Sequence, residues 1–355
     1  MNTLSALKNS LLISIAVLCA VFCLLLPPLA IAQSENIDAT LRERIKQRVA
    51  ERREARQDTD ASAAEKIQKP GDYVRSLKYH GLTRTYRIYV PRTYQATTAT
   101  PLLLAFHGGG GDMDYMAKDE YYGLISKAEA EGFVVVFPNG YSKFTSGKFA
   151  TWNAGSCCAD ARDKNIDDVG FVKKIIGSVT RELNINRQMI FAAGMSNGGM
   201  MSYRLACEMS DTFAAIAAVA GTDGTLNCQP SKPVSVLHIH AKNDDRVLFT
   251  GGAGKKFRDE SKVTDFVSVP DTIAKWVKLN RCNTTPQSVL KKPGAYCEQY
   301  SQCQAGVAVQ LCVTDTGGHS WPGGTKPRGS EPPSQVISAN DVMWDFFISQ
   351  YKGNN

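Results

Sequence analysis

The sequence predicts an α/β fold in which a mainly parallel sheet carries helices on both faces. Two observations lead to this prediction: short apolar runs of strand length recur along the chain, and segments with helical spacing of apolar residues separate them. Continuous apolar runs are typical of strands that are covered on both faces, as parallel strands are. The chain is 43% hydrophobic and 21% charged, which excludes disorder, collagen and coiled coil as descriptions of the whole protein.

The predicted elements follow one another after Pro70. The first, residues 85–90, alternates as a half-buried strand does, and the later runs are continuous. Strands are predicted at residues 85–90, 102–106, 133–137, 189–193, 214–219, 234–240 and 307–313, with helices at 169–183 and 198–207. Because strands and helices alternate without an internal repeat or linker, residues 70–355 are expected to form one large domain.

Residues 1–69 differ from the rest of the chain. Lys8 precedes an apolar run over residues 11–26, a proline pair and the small-residue pattern of residues 30–32, which predicts a secretory signal peptide over residues 1–32. An uncleaved anchor is the alternative, although the run is shorter than the roughly 20 residues that a membrane span needs. Residues 33–69 are polar and predict a charged helix or spacer, with a tether to anionic cell-surface polymer as the alternative.

The whole chain has a net charge of +7, and a dense cluster of basic residues lies within this N-terminal part. Between Arg42 and Gln57 the chain has seven basic and three acidic residues, a local excess of +4, whereas residues 70–355 carry +5 in all. A charge of +5 spread over so large a domain, with no nucleic-acid-binding motif, does not predict a nucleic-acid partner. No integral membrane segment is expected after signal cleavage.

Cysteine usage agrees with export. Of ten cysteines, two lie in the predicted signal peptide, and an even number remains for an oxidising compartment, where disulfides form. Their connectivity cannot be read from the spacing. With no CxxC pair and no Cys/His cluster, we expect neither a metal nor a cofactor. The remaining cysteines are Cys157, Cys158, Cys207, Cys228, Cys282, Cys297, Cys303 and Cys312.

A candidate nucleophile lies in the motif G-M-S-N-G at residues 194–198. This motif follows the predicted strand 189–193 and precedes a predicted helix. A serine at such a sharp strand-to-helix turn needs glycines two residues before and after it, because side chains there would collide with neighbouring backbone. We predict Ser196 as the nucleophile; the alternative is an ordinary N-cap serine.

A serine nucleophile needs a base, and three of the five histidines follow Ser196. His238 and His240 lie on one face of an apolar strand, where a core or supporting role is expected. His319 follows the strand 307–313 on a glycine-containing loop, as the base does in sheets with this nucleophile turn. We therefore predict His319 as the base.

The acid that orients the base should follow a strand between the other two residues. Asp244 and Asp245 both follow the strand 234–240, and the spacing alone leaves both open. An oxyanion hole is expected where a glycine run, residues 108–111, follows the strand 102–106. We predict the backbone N–H groups of Gly109 and Asn197 as its donors.

Five ordered motifs complete the pattern: HGGGG, TWNAGSCCA, GMSNGGMMSYRLAC, HAKNDD and GGHSWPGG, all within residues 107–324. Over residues 70–350 the chain resembles the esterase/poly(3-hydroxybutyrate) depolymerase family of α/β hydrolases, which includes feruloyl and acetyl xylan esterases. In that family the acid lies four residues after a histidine and three before a valine. His240, Asp244 and Val247 keep these spacings, so the resemblance favours Asp244, although Ala241 replaces the glycine of the family pattern.

The resemblance has further implications. It places Trp152 and Trp321 beside the cleft, either stacking on substrate or in the core. It implies a disulfide between Cys282 and Cys303. The adjacent Cys157 and Cys158 are expected to have separate partners. Asp167 and Asp168 are expected to serve as helix N-terminal residues rather than as catalytic acids, because the first turn of a helix favours acidic side chains.

The expected function is a secreted serine carboxylic-ester hydrolase, extracellular or periplasmic. Its substrate is expected to be a feruloylated or acetylated plant polysaccharide, because no Thr-rich linker or polymer-binding domain is recognised after His319. A polyhydroxyalkanoate depolymerase is the first alternative. An acyltransferase that uses the same triad, and a non-catalytic surface-binding module, are the others.

Overall fold

One mixed sheet organises the chain, and its central strands are parallel. The computed structural model describes residues 67, 69–255, 257, 264–326 and 331–353. The strands run in the order β1-β2-β4-β3-β5-β6-β7-β10-β9-β8, parallel from β4 to β10 and antiparallel at both edges. Their bounds are β1 Gly71–Tyr79, β2 Leu82–Val90, β3 Thr100–Phe106, β4 Val134–Pro138, β5 Ile185–Met195, β6 Ala215–Val219, β7 Ser235–Ala241, β8 Gln287–Lys292, β9 Ala295–Tyr300 and β10 Val309–Thr314.

Helices cover both faces of this sheet. Alternate residues of β3 belong to separate apolar clusters: Leu102 and Leu104 pack on one face, and Leu103 and Ala105 on the other. Such alternation follows from the two-residue period of a strand, and it explains why the central strands read as continuous apolar runs. The helices are α1 Met113–Met116, α2 Asp119–Tyr122, α3 Leu124–Glu131, α4 Ala159–Asp163, α5 Asp168–Glu182, α6 Asn197–Glu208, α7 Val269–Leu279 and α8 Ala339–Gly353, with a 3-10 turn at Gln304–Gly306.

The predicted α/β class is confirmed, and the predicted central strands lie within a few residues of those observed. The sequence did not predict the edge strands β1 and β8, nor β9, which lies between β8 and β10. β8 is almost wholly exposed, and β1 alternates between exposed and partly buried positions. These strands lack the apolar runs that marked the central ones, because an edge strand needs no core on both faces.

The parallel strands bring their carboxyl ends to one edge of the sheet. β3, β5, β7 and β10 point the same way, so the four loops that follow them open side by side. Among the residues that the structure describes, no helix is long and apolar enough to cross a membrane. The predicted signal peptide, and nearly all of the predicted spacer, lie outside the described residues.

Candidate active site

Ser196 lies in the sharp turn between β5 and α6. Its φ of 56° falls in a region that residues other than glycine rarely adopt. A Cβ atom at Gly194 would overlap the backbone of Gly198, and one at Gly198 would overlap the backbone of Phe106. The two glycines therefore let α6 begin directly against β3 and β5. The Ser196 N–H donates to the carbonyl of Val219 at 2.7 Å and holds the turn in place.

His319 and Asp244 are brought together by the pairing of β7 with β10. These strands are parallel neighbours, and Ala241 at the end of β7 is in register with Thr314 at the end of β10. The loops that follow them start at the same point of the sheet edge. The His319 Nδ1 lies 2.8 Å from the Asp244 Oδ2 and 3.1 Å from its Oδ1, and both side chains are buried. Nδ1–H therefore donates to the carboxylate, which leaves Nε2 free to accept a proton.

The Asp244 carboxylate is held by donors on several sides. Its Oδ1 accepts the backbone N–H groups of Arg246 at 2.8 Å and Val247 at 3.0 Å. Burial opposes ionisation of this carboxyl, but the charge on His319 and the hydrogen bonds from His240 and His319 outweigh it. The pKa of Asp244 therefore lies well below its usual range, and the carboxylate is ionised at neutral pH.

The glycine loop after β3 lies against the start of α6. A Cβ atom at Gly109 would lie 3.5 Å from the Cβ of Asn197, so the two residues are neighbours. Asn197 is the first residue of α6, and its backbone N–H consequently has no acceptor within the helix. The loop itself is held by the Gly110 N–H, which donates to the carbonyl of Ala150 at 2.8 Å. Gly109 and Asn197, whose N–H groups are the predicted oxyanion donors, are therefore neighbours beside the Ser196 turn.

A cavity of about 1020 Å³ unites these groups. Ser196, His319, Gly109 and Asn197 all line it. No hydrogen bond joins the Ser196 hydroxyl to His319 within the described part of the chain; catalytic hydrogen bonds are often long before substrate binds. The rest of the lining is rich in aromatic side chains: Tyr115, Tyr121, Tyr122, Tyr141, Phe144, Phe149, Phe257, Phe266 and Trp321.

The Esterase family model matches residues 78–321, which include all of these site residues. The chain belongs to this esterase family. This membership agrees with the resemblance that the motifs carry.

The esterase is similar to several curated proteins. It is 30% identical over 236 residues to feruloyl esterase B of Piromyces equi, a match that covers 65% of this chain and 41% of that protein. It is 27% identical over 282 residues to the bifunctional acetylxylan esterase/xylanase XynS20E of Neocallimastix patriciarum, covering 79% of this chain and 35% of that protein. The chain thus spans less than half the length of these two relatives.

A solved structure supports the fold. The acetyl xylan esterase from Aspergillus awamori superimposes with a TM-score of 0.52 at 13% identity, over 78% of this chain and 98% of that one. Identity this low shows the shared α/β-hydrolase architecture alone.

His107 supports the glycine loop after β3, a role that was not predicted from the sequence. Its Nδ1 lies 2.8 Å from the carbonyl of Gly108, and its Nε2 accepts the N–H of Gly140 at 3.0 Å. A neutral ring with its proton on Nδ1 satisfies both contacts. Full burial lowers the pKa of His107 to about 4, so the ring stays neutral at ordinary pH.

We expect the free energy of unfolding to fall as the pH is lowered from 6.5 towards 4. In this window a histidine of the unfolded chain is protonated, whereas His107 in the folded esterase, with its pKa of about 4, is not. Within this window the unfolded state binds one proton more than the folded state. The free energy of unfolding therefore falls by about 3 kcal/mol between pH 6.5 and pH 4. His238, whose pKa burial also lowers, acts in the same direction.

Urea unfolding of the wild type and of a His107→Gln variant at pH 7 and pH 5 measures this effect. The variant should lose less stability between the two pH values than the wild type does, whatever its stability at pH 7. Equal losses in both proteins would contradict the assignment of a neutral His107.

Trp152 does not line the cavity, so the expectation that it stacks on substrate is wrong. It is fully buried, and its indole N–H donates to the carbonyl of His107 at 3.0 Å. Its backbone N–H donates to the Asn197 Oδ1 at 2.7 Å, and its carbonyl accepts the Asn197 Nδ2 at 3.0 Å. Trp152 therefore connects His107, at the start of the glycine loop after β3, to Asn197, the first residue of α6. The core role, left open by the sequence, is the one observed.

Trp321 does line the cavity, although most of its surface is buried. Its indole N–H donates to the Asn340 Oδ1 at 3.1 Å, and its ring packs edge-on to Tyr122 with 5.6 Å between the centroids. These contacts fix the ring, so that it can offer only one part of its surface to a bound ligand.

Disulfides join all eight cysteines of the described chain. Cys282 pairs with Cys303, as the resemblance implied. The other pairs are Cys207 with Cys228, Cys297 with Cys312, and Cys157 with Cys158. The expectation of separate partners for Cys157 and Cys158 is wrong, because their sulfur atoms face each other. Cys158 also lines the cavity.

Asp167 and Asp168 begin helix α5, as expected. The Asp167 side chain caps it by accepting the N–H of Gly170 at 2.8 Å. Asp168 is fully buried, where it accepts the Arg84 Nη2 at 2.7 Å and the backbone N–H of Asn153 at 2.8 Å. Since Asn153 follows Trp152, this ion pair supports the loop beside the cavity.

Proposed function

We propose that this esterase is a secreted serine hydrolase that releases feruloyl or acetyl groups from plant polysaccharide through Ser196, His319 and Asp244. The observation that carries the proposal is the contact of His319 with Asp244, because His319 lines the same cavity as Ser196, Gly109 and Asn197. A nucleophile, an oriented base and two oxyanion donors are the groups that acyl transfer needs.

In the first half-reaction the Ser196 Oγ attacks the ester carbonyl carbon, and His319 Nε2 takes the hydroxyl proton. The carbonyl oxygen becomes an oxyanion, which accepts hydrogen bonds from the Gly109 and Asn197 N–H groups. The tetrahedral carbon then expels the alcohol oxygen of the sugar, which receives the proton from Nε2. An acyl-enzyme on Ser196 remains.

In the second half-reaction water attacks the acyl carbon while His319 Nε2 takes one of its protons. The tetrahedral intermediate forms again and expels Ser196 Oγ, which recovers its proton from His319. The free carboxylic acid leaves the site. Throughout, Asp244 stays ionised and stabilises the imidazolium that forms in each half.

The cavity favours an aromatic acyl group. A volume of about 1020 Å³ far exceeds what an acetyl group fills, and it suits a hydroxycinnamoyl group together with a sugar. Tyr122 packs between Trp321 and Tyr115 in the wall, which gives flat surfaces for ring stacking. Phe144 and Phe149, 48% and 71% exposed, border the same cavity and offer an apolar surface for the sugar.

Turnover of three substrates by one purified sample tests the proposal. We expect methyl ferulate to be hydrolysed with a kcat/KM at least about tenfold higher than soluble hydroxybutyrate oligomers, because stacking stabilises the aromatic acyl group. 4-Nitrophenyl acetate should also be hydrolysed. A Ser196→Ala sample prepared in parallel measures contaminating activity. Faster turnover of the hydroxybutyrate oligomers would overturn the proposed substrate class.

Four disulfide pairs support the secreted location, since such bonds persist in oxidising compartments. Export would use the predicted signal peptide of residues 1–32.

A further inference from the structure

A chain of buried polar side chains leads from Asp244 into the core, away from the cavity. His240 lies on β7 with its Nε2 3.3 Å from the Asp244 Oδ2 and 2.8 Å from the carbonyl of Val247. Its Nδ1 lies 3.0 Å from the Nε2 of His238. The Nδ1 of His238 lies in turn 2.8 Å from the hydroxyl of Tyr203 on α6. The two rings and the phenol are almost completely buried.

The groups at the Asp244 end determine which atom donates in every hydrogen bond between these buried side chains. A carbonyl and a carboxylate only accept, so the His240 Nε2 carries a proton and donates to both. With one proton on each ring, His240 accepts at Nδ1 from the His238 Nε2–H. His238 accepts at its own Nδ1, so Tyr203 O–H donates there. Every member therefore donates towards Asp244.

Tyr203, the member of this group farthest from Asp244, contacts helix α7. The Tyr203 ring packs against Trp276, with 5.8 Å between the centroids. The Trp276 indole N–H donates to Asp223 at 2.9 Å, and Lys275 forms an ion pair with the same carboxylate. The charged and titratable groups around the two histidines are thus Tyr203, Asp223 with Lys275, Asp244 and His319.

Asp244 consequently has a histidine on each side. His319 binds its Oδ2 from the cavity side at 2.8 Å, and His240 binds the same oxygen from the core side. Two backbone N–H groups hold Oδ1. Rotation of the carboxylate away from His319 would break the contact with His240 and the two backbone contacts together.

We propose that His240, supported by His238 and Tyr203, is a positioning residue that holds Asp244 in hydrogen-bonding contact with His319. The inference rests on the proposed Ser196–His319–Asp244 mechanism and adds three residues to it. His240 touches no substrate, so its effect on catalysis passes through Asp244.

Replacing His240 with leucine tests this role. Leucine fills similar space and donates nothing, so we expect kcat for 4-nitrophenyl acetate, per titrated active site, to fall about 10- to 100-fold with KM within about twofold. Active sites are counted by stoichiometric reaction with a phosphonate ester. His240→Gln keeps an N–H donor and should recover part of the loss. Tyr203→Phe removes only the most distant donor and should cost less than His240→Leu.

A double-mutant comparison separates positioning from a general structural role. If His240 acts through Asp244, then His240→Leu should cause little further loss of kcat in an Asp244→Asn background. A structural role would lower the number of titratable sites and the melting temperature, and its effect would add to that of Asp244→Asn. An unchanged kcat per site in His240→Leu, or additive losses, would overturn the inference.

Two controls keep the outcome clear. If His240→Leu does not fold, His240→Gln and Tyr203→Phe carry the test, and an unchanged kcat per site in both would overturn the inference. If Ser196→Ala and His319→Ala keep full activity, the proposed function itself fails. Inactive Ser196→Ala with unaffected His240 variants refutes only the positioning role.

Discussion

Replacing Ser196 with alanine is expected to lower kcat for methyl ferulate by about a million-fold, because no other group would form the acyl-enzyme. The substitution removes one oxygen at a turn whose backbone is held by Val219, so the fold should be preserved. Steady-state hydrolysis measures the loss, and the variant should also fail to react with a phosphonate ester.

Ser202→Ala is the matched control. Ser202 lies further along the same helix, and its hydroxyl donates to the carbonyl of Gly198 at 3.1 Å instead of lining the cavity. This variant should keep its activity and its phosphonate labelling. Substantial hydrolysis by purified Ser196→Ala, with melting temperatures equal to the wild type, would refute the nucleophile assignment.

Replacing Asp244 with asparagine is expected to lower kcat by about 10⁴-fold. The reason is visible in the contacts of the two carboxylate oxygens. Oδ1 accepts the N–H groups of Arg246 and Val247, so the amide oxygen of an asparagine must take that place. The amide NH₂ then faces His319 Nδ1, which has to accept instead of donate. His319 is thereby held in the tautomer that carries its proton on Nε2, where it cannot act as a base.

The neighbouring acid supplies the control for this change. Asp245 was the competing candidate in the sequence, and Asp245→Asn makes the same chemical substitution one residue further on. This variant should keep most of the wild-type kcat, and its pH profile should be unaltered. A larger loss in Asp245→Asn than in Asp244→Asn would reverse the assignment of the acid.

The sequence was informative wherever a local rule governs the structure. The central strands were predicted because both faces are buried, which makes their sequence continuously apolar. The edge strands β1 and β8, and the adjoining β9, were missed because their pairing depends on the neighbouring strand and hardly on their own composition. Register and strand order could not be read from the sequence for the same reason.

The supporting residues of the site show the same limit. Trp152 was expected either to stack on substrate or to lie in the core, because an aromatic residue near a cleft motif suits both positions. Its position is decided by His107 and Asn197, which lie 45 residues away along the chain and accept its N–H groups. The pairing of Cys157 with Cys158 likewise depends on the conformation of the long loop between β4 and α4, and adjacency in the sequence gave no sign of it.

The sequence by itself determined the fold class, the candidate nucleophile turn and the glycine loop, because each depends on backbone demands that a few consecutive residues satisfy. Gly194 and Gly198 are required by atoms within the turn and at the end of the adjoining strand, so a short motif was enough to predict them. Only the tertiary structure decided the rest. His319 meets Asp244 because β7 and β10 are adjacent, and His240 meets His238 and Tyr203 because α6 packs on β7. Contacts between residues distant in sequence arise from packing, and no single segment of the chain encodes them.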